Sequence, residues 1–259
     1  MDLPELGELA STAARAAGDL LLERFTRPAE GVASKSSPTD VVSDADRDAE
    51  ALLKRLILSE RPEDGVLAEE TGARSAASGL TWVLDPLDGT VNFLFGIPEW
   101  SVSVAVEDDQ GSLVGVVLNP TRDELFYATR GSGAYLNGSP ISASRRNDLE
   151  TALIGTGFSY VSEAREIQAR RLLRVLPRVR DIRRAGSAAL DLASVACGRL
   201  DGVFEAPMER WDKAAGSLLI EEAGGVVSEL EGPLDLSPGV IAAGARLHDP
   251  LRDLVLGDA

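Results

Sequence analysis

The chain has almost none of the side chains that soft-metal and thiol chemistry require. Among its 259 residues, Cys197 is the only cysteine and His248 the only histidine. One of each cannot build an internal disulfide or a Cys/His zinc site. Cys197 lies in an apolar helical pattern and reads as a small core residue. His248, in ARLHDP, reads as a surface or capping residue rather than a catalytic one. Long apolar runs are also missing, since no uninterrupted stretch approaches the roughly 18 residues of a membrane span. The opening MDLPELGELA is acidic and lacks a basic start, so no secretion signal is expected and the expected location is cytoplasmic. Positive charge is scarce, with 26 Lys and Arg against 42 Asp and Glu and a formal charge of −16. A field of that sign repels nucleic acid and anionic membrane, neither of which is an expected partner. It also repels a phosphorylated metabolite unless cations sit beside the site.

What is plentiful is carboxylate, set in a chain that is 44% hydrophobic and 26% charged. That is the balance of a globular protein long enough for a large core. Leu6, Leu9, Ala10, Ala13, Ala16, Ala17, Leu20 and Leu21 recur at spacings of three and four, which predicts an amphipathic helix. A second helix is expected to start at Ser43, with its hydroxyl as cap and Asp44 and Asp46 in the first turn, and to end at Pro62. Short strands are expected over Val66 to Ala68 and Thr81 to Leu84. From Ser101 to Ile141, apolar alternation broken by DDQG, NPTRDE and Asn137-Gly138 predicts an antiparallel meander. Beyond Asn147 strands and helices alternate, with helices over Glu163 to Leu176, Ser187 to Ala196 and Asp212 to Ala223. Strands are expected at TALIGTG, DIRRAG, DGVFE, Val226 to Ser228 and Val240 to Ala243. These patterns predict stacked layers of helix and sheet. The composition shift at SASRRNDLE suggests an N-terminal lobe over 1–145 and a C-terminal lobe over 146–259.

The stretch WVLDPLDGTVNF places Asp85 and Asp88 directly after an apolar run that reads as a buried strand. Pro86 stiffens the turn and Gly89 allows close backbone approach. Two carboxylates held close repel each other, and burying an uncompensated charge costs several kcal/mol. With no Arg or Lys between Leu80 and Phe93, a divalent cation is the economical answer, and all-oxygen donors without histidine favour Mg²⁺. Glu69-Glu70 follows another short strand. Asp46 and Asp212 each have a simpler reading as helix-capping acids.

Taken together, AEETG, DPLDGTVNF and WDKAAGSLLIEEAGG, in that order, resemble the inositol monophosphatase family, and the early KSSPTDVVSDAD segment corresponds as well. The resemblance covers essentially the whole chain. It implies an α+β fold, a layered αβαβα sandwich, usually assembled as a homodimer. It also implies a lithium-sensitive, Mg²⁺-dependent phosphomonoesterase with two or three ions per site. By that resemblance Glu69, Asp85 and the carbonyl of Leu87 hold one Mg²⁺, Asp85, Asp88 and Asp212 a second, and Glu69 shares a third. Glu70 and the pair Thr90 and Asp46 are the candidates for drawing a proton from the attacking water. Asp88, Gly89, Thr90, Ala188 and Glu205 are the expected substrate contacts, with Gly89 and Thr90 offering backbone N–H groups to phosphate and Glu205 binding a hydroxyl. Lys35 is expected to organise the looser metal, and Ser159 to lie near the pocket. Ala68 stands where the family has glycine, Leu87 where isoleucine is common, and APMER carries no sugar signature. The expected substrate is myo-inositol 1-phosphate or a related polyol phosphate. The same chemistry on histidinol phosphate, fructose 1,6-bisphosphate or a nucleotide 3′-phosphate is the alternative, and a non-catalytic regulatory protein the alternative of another class.

Overall fold

The computed structural model describes residues 2–25, 27, 31–34 and 41–257; Lys35 lies outside the described residues. Seven α-helices run along them: α1 (Leu3–Phe25), α2 (Asp44–Glu60), α3 (Thr90–Leu94), α4 (Ser162–Val175), α5 (Ala188–Ala196), α6 (Arg210–Glu222) and α7 (His248–Leu256). The strands of the first half are β1 (Ala33–Ser34), β2 (Val41–Val42), β3 (Gly65–Ala68), β4 (Gly72–Arg74), β5 (Thr81–Asp88), β6 (Ser101–Asp108), β7 (Gly111–Asn119), β8 (Glu124–Thr129), β9 (Ala134–Leu136) and β10 (Ser139–Pro140). Those of the second are β11 (Leu153–Thr156), β12 (Asp181–Arg183), β13 (Gly202–Glu205), β14 (Gly225–Leu230) and β15 (Gly239–Gly244).

Strands β3 to β10 form an eight-stranded sheet in the order β10-β9-β8-β7-β6-β5-β3-β4, and β11 to β15 a five-stranded sheet in the order β12-β11-β13-β15-β14. The large sheet is antiparallel except where β3 runs parallel to β5. The small sheet is mixed, since β11 pairs in parallel with β12 and β13 while β15 runs antiparallel to β13 and β14. The core divides accordingly into three apolar clusters. The first packs α1 and α2 onto one face of the large sheet, through Ala10, Ala17, Leu53, Trp82 and Leu84. The second lies between the sheets, where α5 and α6 bury Leu192 and Leu219 against Val83, Val117, Val203 and Ala242. The third covers the outer face of the small sheet with Val175 of α4 and Leu251 and Val255 of α7. The order is helix, sheet, helix, sheet, helix, as expected. Each fully buried Leu or Val contributes about 1.5–3 kcal/mol of transfer free energy.

The capping at Ser43 is as read from the sequence. Its hydroxyl accepts from Ala45 N at 3.2 Å, and Asp46 Oδ2 accepts from Ser43 N at 2.8 Å, a reciprocal box that satisfies the free N–H groups of α2. Two features differ from expectation. The C-terminal helix α7 was not anticipated, because nine residues carrying Pro250 give a weak periodic signal. His248, expected at the surface, is buried at the start of α7, where its Nε2 lies 2.9 Å from Ser228 Oγ. Among the described residues no helix is long and apolar enough to cross a membrane.

Candidate active site

The DPLD segment owes its geometry to a break in strand register. In a regular strand, residues three apart point to opposite faces. Here Asp85 pairs with Ser103 and Asp88 with Ser101, so three steps on β5 oppose two on β6. One extra residue in the bulge reverses the alternation. Pro86, which has no N–H for the ladder, sits inside it. The reversal is visible in the packing: Trp82 and Leu84 face α1 and α2, and so does Leu87, although its number is odd. Asp85 and Asp88 therefore share the face of Val83, towards the N-termini of α5 and α6. The strand itself runs to Asp88, so Asp85 lies within it rather than beyond its end as the apolar run had suggested.

A cavity of about 390 Å³ opens where these elements meet, lined by Glu69 after β3, Asp85 and Asp88 of β5, Glu205 of β13 and Asp212 of α6. Asp88 is held at the start of α5. Its Oδ2 accepts from Ala189 N at 2.9 Å, from Ser101 Oγ at 3.2 Å and from Ser187 Oγ, and its Oδ1 from Ala188 N at 3.2 Å. Asp212 is the third residue of α6 and accepts from Glu209 N at 2.6 Å, a capping role that leaves its second oxygen unused. Asp85 Oδ1 accepts from Leu87 N at 3.0 Å. Thr90 Oγ1 stands 3.0 Å from both Asp46 Oδ1 and the Leu87 carbonyl, two acceptors for its single proton. Gly89, at φ 92°, makes the left-handed turn into α3 that a side chain would strain.

Mutual repulsion marks the acids electrostatically. Burial pushes Asp85 well above its ordinary value, and the charges of Glu69, Asp88 and Asp212 add to it. Asp212 is likewise raised by burial and by Asp88 and Glu69. Burial raises Asp88 too, against the lowering effect of its Ser187 and Ala189 hydrogen bonds. Among the described residues no Lys or Arg pairs with Asp85, Asp88 or Asp212, and no three acidic, histidine or cysteine side chains stand close enough together to hold a metal ion as they are placed. An all-carboxylate set of this kind, raised by burial and by its own repulsion, suits a hard divalent cation bound through oxygen.

Residues 2–255 match the inositol monophosphatase family. The chain belongs to that family. Among its relatives, Nus factor SuhB of Escherichia coli K12 is 39% identical over 257 residues, covering 95% of this chain and 96% of that one. Inositol-1-monophosphatase of Rhizobium meliloti is 42% identical over 245 residues, with 92% and 91% covered. Among solved structures, the extragenic suppressor protein suhB of Bartonella henselae superposes with a TM-score of 0.90 at 38% identity, over 97% of this chain and 98% of that one. Inositol monophosphatase from Anabaena gives 0.86 at 34%, over 99% and 97%. The family's layered fold is thus the fold of this chain.

Of the residues singled out by sequence, Glu69, Asp85, Leu87, Asp88, Gly89, Thr90, Ser159, Ala188, Glu205 and Asp212 all line the cavity. Glu70 and Asp46 do not. Asp46 reaches it only through Thr90, and Glu70 lies beside it, its backbone N donating to Glu50 Oε2 at 2.7 Å. Sequence reasoning missed Glu50, a buried acid of α2 that also accepts from Thr71 Oγ1 at 2.5 Å and so sets the turn bearing Glu69. It also missed Ser187, Arg184 and Asp191. Ser187 follows a glycine before an apolar helical run, a cap signal that was within reach.

Proposed function

We propose that the protein is a Mg²⁺-dependent phosphomonoesterase that hydrolyses myo-inositol 1-phosphate or a closely related polyol phosphate to the alcohol and inorganic phosphate. The observation that carries the reading is the β5 bulge, which aims Asp85 and Asp88 into the same cavity as Glu69 and Asp212. Glu69, Asp85 and the Leu87 carbonyl would hold one ion, and Asp85, Asp88 and Asp212 a second. Bound there, Mg²⁺ supplies charge neutralisation for the phosphate and a more acidic water. The negative charge of the whole chain then ceases to oppose an anionic substrate.

The chain's own groups do the rest. Asp46 Oδ1, fixed by the α2 capping box, can take the Thr90 hydroxyl proton and leave a lone pair of Oγ1 for the proton of an attacking water. Glu70 is the other candidate for that proton, standing outside the cavity lining. Gly89 and Thr90 offer backbone N–H groups to phosphate oxygens, and Ala188 forms part of the wall. Glu205, pushed up to about 7 by burial and by Asp88, receives a hydroxyl of the alcohol. A homodimer and inhibition by Li⁺ accompany this reading.

Phosphate release across a panel of phosphorylated metabolites, with Mg²⁺ present and then chelated, tests it. Turnover of a polyol phosphate that stops on chelation is expected; release from no phosphomonoester in the presence of Mg²⁺ defeats it. A second reading rests on relatives named Nus factor SuhB at 39–40% identity. Under that reading the chain also serves as a regulatory interaction protein. Pull-downs with Asp88→Asn, which removes turnover, separate the two roles.

A further inference from the structure

One cavity-lining acid has no place in the chemistry above. Asp191 belongs to the first turns of α5, between the two sheets, and is only 4% exposed. Its carboxylate lines the same cavity as Glu205, yet it accepts no hydrogen bond from any described residue. Its oxygens are not sealed away from the cavity, so their hydrogen bonds come from what enters it, and a packed apolar residue would serve α5 better if the position were only structural. Glu205, half-buried, likewise accepts no hydrogen bond from any described residue. Both acids line the cavity, Asp191 from α5 and Glu205 from β13, and the charge of Asp88 reaches both. Arg184, exposed at the rim, is the cation nearest in effect to either, and it forms no ion pair with them. Two unpartnered acceptors facing one space are matched by a ligand that brings at least two O–H donors.

Gly157 supports the assignment independently. A Cβ built there would come within 1.8 Å of Glu205 Oε1, so the backbone of β11's continuation is pared back to let that carboxylate stand in the cavity. The space in which the Glu205 carboxylate stands is thus kept open by the backbone at Gly157.

We propose that Asp191 is a specificity-determining residue, the second half of a two-carboxylate clamp with Glu205 that selects alcohols carrying two or more free hydroxyls. The inference rests on the polyol phosphatase reading and narrows its substrate class to a vicinal or ring polyol, as against a monohydroxy or aryl alcohol. Each carboxylate accepts from one hydroxyl of the bound alcohol, and an analogue without those hydroxyls leaves both acids unsatisfied. Sites built this way discriminate strongly, because the penalty falls on the wrong ligand.

The test compares parent, Asp191→Asn and Asp191→Ala proteins, all loaded with Mg²⁺, on myo-inositol 1-phosphate and on p-nitrophenyl phosphate. The ratio of kcat/KM for the polyol to that for the aryl ester is expected to fall roughly 10- to 100-fold in the alanine variant, the size of a lost hydrogen bond to a charged group. The asparagine variant keeps an acceptor oxygen and should fall less. Thermal melting supplies a readout that a structural role would move the other way: both variants should melt at or a few degrees above the parent temperature, since a buried carboxyl group with no donor from the described residues is gone. An unchanged ratio, or a lowered melting temperature with equal losses on both esters, overturns the clamp. A parent enzyme that hydrolyses the aryl ester and no polyol phosphate overturns the substrate reading, and the clamp with it.

Discussion

The cavity holds two sets of acids in opposite ways. Asp88 accepts from Ser101, Ser187, Ala188 and Ala189, and Asp212 from Glu209 N. Asp191 and Glu205, by contrast, accept no hydrogen bond from any described residue. Fixed carboxylates lose little freedom when a cation arrives, which is what a preorganised metal site needs. Unfixed ones take their hydrogen bonds from whatever alcohol enters, and so they select it. The difference separates chemistry from recognition within one cavity.

The largest way to break this contrast is at the fixed set. Asp88→Asn should lower turnover by more than about 10³-fold on every phosphomonoester, the scale expected when a transition-state charge contact is lost. Circular dichroism should show the chain still folded; turnover near the parent rate sinks the metal assignment. In the other set, Glu205→Gln should lower the polyol-to-aryl ratio of kcat/KM by roughly tenfold or more. Equal losses on both esters refute a recognition role. Gly157→Ala sharpens the same point without touching an acid, because its methyl displaces only the tip of Glu205. It should lower that ratio by roughly three- to tenfold while the melting temperature stays within a few degrees of the parent. Ser187→Ala removes both a donor to Asp88 and the cap of α5, whose Leu190 N lies 3.3 Å from the hydroxyl. About 1 kcal/mol of stability should be lost, with a modest fall in activity on both esters alike, measured by denaturant titration and phosphate release.

The smallest effect is on stability against pH. Burial and the charges of Glu205 and Asp88 push Asp191 up to about 8 from its ordinary 3.8, and burial pushes Glu205 up to about 7 from 4.5. Between these limits the folded chain keeps protons that the unfolded chain has released, so stability falls as pH rises through the window. Chelated protein should therefore melt at a lower temperature at pH 8 than at pH 5. Asp191→Asn should flatten that slope, and an unaltered slope shows that Asp191 is not its source.

Much of this was legible beforehand. The helix spacing of Leu6 to Leu21, the cap at Ser43 and the meander from Ser101 to Ile141 are local patterns, and the structure follows them. The DPLDGT segment stood out because its acids follow an apolar run, whereas EETG and WDKAAG had simpler readings as a loop and a cap and joined it through the resemblance to the family. Asp191 was not found, since an aspartate inside ALDLASVA looks like the polar face of a helix until the second sheet covers it. His248 was misplaced for the same reason: nothing beside it in sequence shows that Ser228 of β14 will meet it.

The sequence by itself determined which elements form and which acids stand at their ends, because periodicity, caps and turns act over a few residues. Only the tertiary structure decided which way those acids point. Three steps along β5 oppose two along β6, and that count turns Asp85 and Asp88 to one face. It depends on how two separate strands align, and no local stretch of chain carries that information.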